Sequence, residues 1–122
     1  MLRVVTTDLL LPANATDVSQ AFEMGEFTRL QAQVVVKSMA GVFTGEVDGG
    51  VRVTPQGSHD LENWTDIEDY QFIVFHDAPS SSFGPNPPGY NDLGFPYIRY
   101  KFVNREASAD VLLGCSVGPY KS

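Results

Sequence analysis

From Pro96 to Val103 the chain alternates, with Ile98, Tyr100 and Phe102 set against Tyr97, Arg99 and Lys101. Successive side chains of an extended chain point to opposite faces, so this period of two predicts a strand with one wet face. Residues 31–38 repeat the pattern: Ala32, Val34 and Val36 point inward, Gln33 and Lys37 outward, and Val35 on the outer side hints at a covered face. Val51 and Val53 alternate with Arg52 and Thr54 in the same way. Residues 70–76 are apolar on both faces (Phe72 and Val74, then Ile73 and Phe75), which predicts a central strand packed on both sides. Residues 110–117 set Val111, Leu113, Cys115 and Val117 on one face, with Gly114 and Ser116 on the other. Residues 2–11 and 18–22 are weaker strand candidates. No apolar stripe with three- and four-residue spacing persists over a helix length, so little or no helix is expected.

Turn residues separate these runs: Met24-Gly25, the glycines from Gly41 to Gly50, residues 57–63 and residues 104–108. About seven or eight short strands with Gly-rich polar turns predict an all-β fold, an antiparallel β-sandwich of jelly-roll type. Strand order is not legible at this level. The segment 78–95, APSSSFGPNPPGYNDLGF, has four prolines, three glycines and no strand pattern. It reads as a long loop, and its Phe83, Tyr90 and Phe95 suit a loop lying on a surface better than a linker.

The 122 residues are enough for one domain, 1–122, with residues 1–17 read as an N-terminal arm. Charged residues make up only 19% of the chain. Much of the surface is therefore uncharged, as suits a protein that packs against something. A net charge of −7, with eight Lys and Arg spread along the chain, argues against nucleic acid and against an anionic membrane surface as partners. The single Cys115 excludes an internal disulfide and reads as a small buried hydrophobe. The opening MLRVVTTDLLLP has no signal-peptide pattern and no segment is long and apolar enough for a membrane helix, so a soluble protein made in a cytoplasm is expected.

The most chemically loaded stretch is QGSHDLENWTDIED, residues 56–69. Asp60, Glu62 and Asp66 are the candidates for a calcium site, but the acids do not follow EF-hand spacing and Trp64 interrupts them, which favours a solvated acidic turn. Zinc would have only His59, His76 and a distant cysteine. Ser58, His59 and Asp60 are adjacent and point to alternate sides, so they cannot form a nucleophilic relay among themselves. No catalytic residue, cofactor or metal site is therefore expected, and the protein is read as no enzyme. Asn63-Trp64-Thr65 and Asn14-Ala15-Thr16 fit the glycosylation pattern, but without a signal peptide they have no machinery to act on them. The structural reading is a turn in which Ser58 and Asp60 bond following backbone amides, with Trp64 re-entering beside Ile67 to plug one end of the core.

The combination of a Val-rich strand, Gln56-Gly57-Ser58, Asp60, Asn63-Trp64-Thr65 and the late strand Pro96-Tyr97-Ile98-Arg99 resembles small β-sandwich structural proteins of tailed bacteriophages. It covers roughly residues 31–117. Relatives often have Gly after the Asp where this chain has Leu61, which leaves the turn type open. The resemblance implies a virion component, in its simplest version a head decoration (cement) protein made in the host cytoplasm and carried on the capsid surface. It further implies a homotrimer that binds the major capsid protein. Ser58, Asp60, Trp64, Tyr97 and Arg99 would then shape turn and core. Partner contact is expected from the apolar N-terminal residues Leu2, Val4, Val5, Leu9, Leu10 and Leu11, and from Phe83, Tyr90 and Phe95 of the long loop. A carbohydrate-binding or host-recognition module is the alternative, motivated by Trp64, Tyr70, Tyr90, Tyr97 and the acidic loop. A cellular scaffold subunit is a third.

Overall fold

The computed structural model describes residues 3–25, 29–42, 49–74, 81–83 and 95–120. These form strands β1 (Arg3–Leu11), β2 (Thr16–Val18), β3 (Phe22–Glu23), β4 (Arg29–Val42), β5 (Val51–Ser58), β6 (Thr65–Asp66), β7 (Phe72–Val74), β8 (Ser81–Phe83), β9 (Tyr97–Asn104) and β10 (Ser108–Tyr120). One 3-10 turn, Glu68–Tyr70, lies between β6 and β7, and it is the only helical element among the described residues.

Two antiparallel sheets result. The first runs β1-β10-β4-β8, and the second β2-β9-β5-β6, with β3 also beside β9 and β7 also beside β5. β2 with β3, and β6 with β7, thus act as two broken rows, so each sheet is four rows wide. Counted in chain order, the first row lies next to the eighth, the second next to the seventh, the third next to the sixth and the fourth next to the fifth. That is the order obtained by rolling one long hairpin into two facing sheets, the jelly roll.

Alternation supplies the core. Ala32, Val34 and Val36 of β4 and Val111, Leu113, Cys115 and Val117 of β10 are buried, and they face Val51 and Val53 of β5 and Ile98, Tyr100 and Phe102 of β9. Each buried Val, Leu, Ile or Phe side chain contributes about 1.5–3 kcal/mol by leaving water. Burial pushes the Cys115 thiol up to about 12, so the group behaves as an apolar filler. Opposite Leu112 and Leu113 of β10 stand Ser38 and Val36, which makes Lys37 an extra, bulged residue of β4. The bulge explains the two consecutive exposed positions, Lys37 and Ser38, that break the alternation.

Pro55 sits inside β5, between two neighbouring rows, where a missing N–H normally costs a ladder bond. Its carbonyl accepts from the Ile67 amide at 2.8 Å, so the backbone groups of this residue face the outer row. That row is interrupted there, since β6 pairs with Gln56 and Gly57 and β7 with Val51 to Val53. The proline falls in the gap.

One end of the sandwich is fastened by buried polar groups. The Asn104 side-chain amide donates to the carbonyls of Leu11 (3.0 Å), Pro12 (3.1 Å) and Ala109 (2.8 Å), and its oxygen accepts from the Glu106 amide (3.0 Å). The buried Glu106 carboxylate accepts from the Gly50 amide. These contacts join the corner after β1, the approach to β5 and the turn between β9 and β10.

Three sequence expectations change. Tyr70 belongs to the 3-10 turn, and among the described residues β7 pairs with β5 alone, in an outer row and not as a central strand. The segment 78–95 contains a strand, β8, which pairs with Ala32 to Val34. Within the N-terminal arm, residues 3–11 are an edge strand hydrogen-bonded along β10. Its two register irregularities reflect the bulging common at sheet edges.

Candidate functional site

The residues of the sequence motif, 35 to 43 positions apart where they meet, assemble on the outward face of the second sheet. β5 and β9 pair with Gln56 opposite Arg99 and Ser58 opposite Tyr97. The inward residues of β9 are buried, which leaves Tyr97, Arg99, Lys101 and Val103 half-exposed on the other face. The Arg99 Nε donates to Gln56 Oε1 at 2.7 Å, and its guanidinium carbon lies 4.2 Å from the centre of the Trp64 ring. Gln56 Nε2 in turn donates to Asp66 Oδ1 at 2.7 Å, and Lys101 Nζ binds Asp66 Oδ2 at 2.6 Å. A ladder therefore runs from Trp64 through Arg99, Gln56 and Asp66 to Lys101. The hydrogen bond from Lys101, then that from Gln56, holds the Asp66 carboxyl below its usual range, and partial burial lowers the pKa of Arg99 without discharging it.

Trp64 is half-buried and lies outside the core cluster, whereas Ile67 packs against that cluster. The expected core plug is thus a lid over Arg99. A planar cation on the ring face is attracted by the ring's negative π cloud, and this gives Trp64 a partner that linear sequence does not reveal.

The turn between β5 and β6 is built by two side chains. Ser58 Oγ accepts from the amides of Asp60 (3.2 Å) and Leu61 (2.9 Å) and donates to Asp60 Oδ1 (3.0 Å). Asp60 Oδ1 accepts from the amides of Glu62 (2.9 Å) and Asn63 (2.8 Å), and Oδ2 accepts from Asn63 Nδ2 (2.7 Å). The amide of Asn63, then that of Glu62, stabilises the charged form and holds the Asp60 carboxyl far below the usual range. Leu61 takes up a left-handed φ of 66°, a conformation that glycine adopts more readily. Behind the turn the Phe95 ring lies over Gly57, where an added methyl would overlap it, and 5.2 Å from the His59 ring. For a metal, the oxygens of Asp60 and Asp66 point to these separate partners. Among the described residues no three His, Cys, Asp or Glu gather as a metal would require.

The residues expected to meet a partner are dispersed. Leu9 packs against the core, Leu11 is buried, and Leu10 between them is 60% exposed. Val4 stands opposite Ser116, Val5 falls at a register irregularity of β1, and Phe83 ends β8 opposite Ala32. Phe95 packs against the core beside Gly57. Leu2 and Tyr90 lie outside the described residues. Sequence reasoning missed Gln56, Asp66 and Lys101 as members of one ladder, and missed Asn104 and Glu106. The only signal for the first group was that Lys101 follows Arg99 at strand spacing, on the same face.

By class, then, the chain is a jelly-roll β-sandwich whose most distinctive motif folds into one polar and aromatic unit on an outer sheet face. Among solved structures it is similar to the PBSX exported protein XepA, at 15% identity and a TM-score of 0.59, with 100% of this chain covered and 38% of that one. The chain thus spans about two fifths of that protein's length. It also superposes on the SPBc2 prophage-derived protein YomS (10% identity, TM-score 0.48, 97% and 92% covered) and on a structure described as "CBM4 structure and function" (12% identity, TM-score 0.49, 95% and 80% covered). No protein-family profile and no curated protein sequence matches it. The resemblance to small phage β-sandwich proteins extends to the fold.

Proposed function

We propose that the chain is a non-enzymatic virion structural protein that decorates a phage capsid and stabilises it by binding the major capsid protein. The observation that carries this reading is the convergence of the phage-like motif. Gln56, Gly57, Ser58, Asp60, Trp64, Tyr97 and Arg99, which prompted the resemblance separately, touch or pair as one unit. The fold likeness to XepA supports it further. In this reading the protein is a homotrimer on the capsid surface, and its contact includes Leu10, which faces outward opposite half-buried Leu112.

Co-sedimentation with capsid shells assembled without the chain tests the proposal. At micromolar concentration the protein should pellet with the shells, and Leu10→Asp should weaken binding by about tenfold or more, the equivalent of one leucine side chain losing its burial. Failure of the native chain to pellet would refute it.

A second reading, a carbohydrate-binding or host-recognition module, is favoured by one observation: Trp64 and Tyr97 are both half-exposed at the same sheet face. A glycan array separates the two.

A further inference from the structure

The ladder on the outer face of the second sheet is nearly self-contained. Gln56 uses its oxygen on Arg99 and its nitrogen on Asp66, and Asp66 uses both oxygens on Gln56 and Lys101. Among the described residues the Lys101 ammonium keeps two unused N–H groups, but Arg99 alone offers a planar pair of them. Its Nε is bound, its flat face lies under Trp64, and among the described residues no group accepts from its two terminal nitrogens and no carboxylate pairs with it. The guanidinium is therefore held at two points with its outer fork open. This is notable in a chain with fifteen acidic residues and only eight basic ones. The nearest acid on the ladder, Asp66, is taken up by Lys101.

A guanidinium with a free pair of N–H groups matches a carboxylate bidentately, and fixing the side chain beforehand reduces the entropy lost on binding. A neutral glycan needs several unused donors and acceptors, and here the oxygens of Gln56 and Asp66 each accept a hydrogen bond already. Arg52, Arg99 and Lys101 share this face as exposed or half-exposed cations, which suits an acidic chain segment. We propose that Arg99, clamped between Trp64 and Gln56, is a docking point for a carboxylate side chain of an acidic segment in a protein partner. The site does not depend on whether that partner is a capsid shell.

Trp64 is the sole tryptophan, so its emission reports on the site directly. The probe is an acetylated and amidated peptide of Gly-Glu repeats, titrated at low ionic strength against its Gly-Gln counterpart. The Gly-Glu peptide should change Trp64 emission saturably and the Gly-Gln peptide should not. Arg99→Gln should weaken binding by about tenfold or more. Arg52→Gln, at an exposed cation on the same face outside the ladder, should leave it unchanged. An equal response to both peptides, indifference to Arg99→Gln, or an equal loss in Arg52→Gln would overturn the site, the last by showing diffuse electrostatics. Tighter binding of an oligogalacturonate than of the peptide would overturn the protein partner in favour of an acidic sugar. Should Arg99→Gln fail to fold, Arg99→Lys keeps the charge and removes the fork, and native-like binding by that variant overturns the assignment.

Discussion

Leu61 holds a φ of 66° while half-exposed, so its side chain earns little packing in return for a strained backbone. A non-glycine residue in this region costs roughly 1–2 kcal/mol, partly offset by the greater freedom that glycine gives the unfolded chain. Leu61→Gly should therefore stabilise the protein by about 0.5–1 kcal/mol, read as a raised urea midpoint at unchanged slope. Asp60 supplies a second prediction. Its folded pKa lies below its ordinary value of 3.8, so the turn's contribution is present above that value and is lost as the pH falls toward the folded pKa. Asp66, also lowered, acts in the same direction. Urea midpoints should fall as the pH drops below about 4, and the fall should be shallower in Asp60→Asn. At this scale the sequence made Ser58 and Asp60 legible as turn builders, because their bonds are local. Trp64 was misread because its partner Arg99 is brought in by the β5–β9 register.

Between elements, the close approaches decide. Gly41 on β4 has a φ of 131°, and an added methyl would overlap the Ser108 carbonyl and stand 2.7 Å from the Ala109 Cα, both backbone of β10. Backbone within a paired strand cannot move aside cheaply. Gly41→Ala should cost more than about 3 kcal/mol by chemical denaturation. Asn104→Ala would strip a donor from three carbonyls at one corner, two of the bonds buried, and should cost about 2–4 kcal/mol by the same measurement. The strands legible from alternation are β9, β10, the first part of β5 and β4 up to its bulge at Lys37, where inward residues recur at every second position. β8 was invisible because Ser81–Phe83 is a three-residue edge strand within a proline-rich segment, with no alternation to display. β7 misled because apolar residues on both faces suggest a central position, while the structure places it in an outer row. Thr54 reads as outward-facing and Gln56 and Ser58 as part of a turn, yet all three lie in β5 and are buried. Periodicity reports hydrophobicity along one strand and carries nothing about which strand lies beside it.

For the whole molecule, the jelly roll places the phage-like motif and the Arg99 fork on the outer face of one sheet, and exposed Leu10 on the edge strand of the other. A decorating protein needs such separate surfaces to touch more than one neighbour, and size-exclusion chromatography with light scattering should give a trimer mass. The proposed role places this chain on a capsid. Cryo-electron microscopy of the purified particle tests it most directly: the account predicts copies of the sandwich at regular positions on the shell lattice, and a shell without them would contradict it.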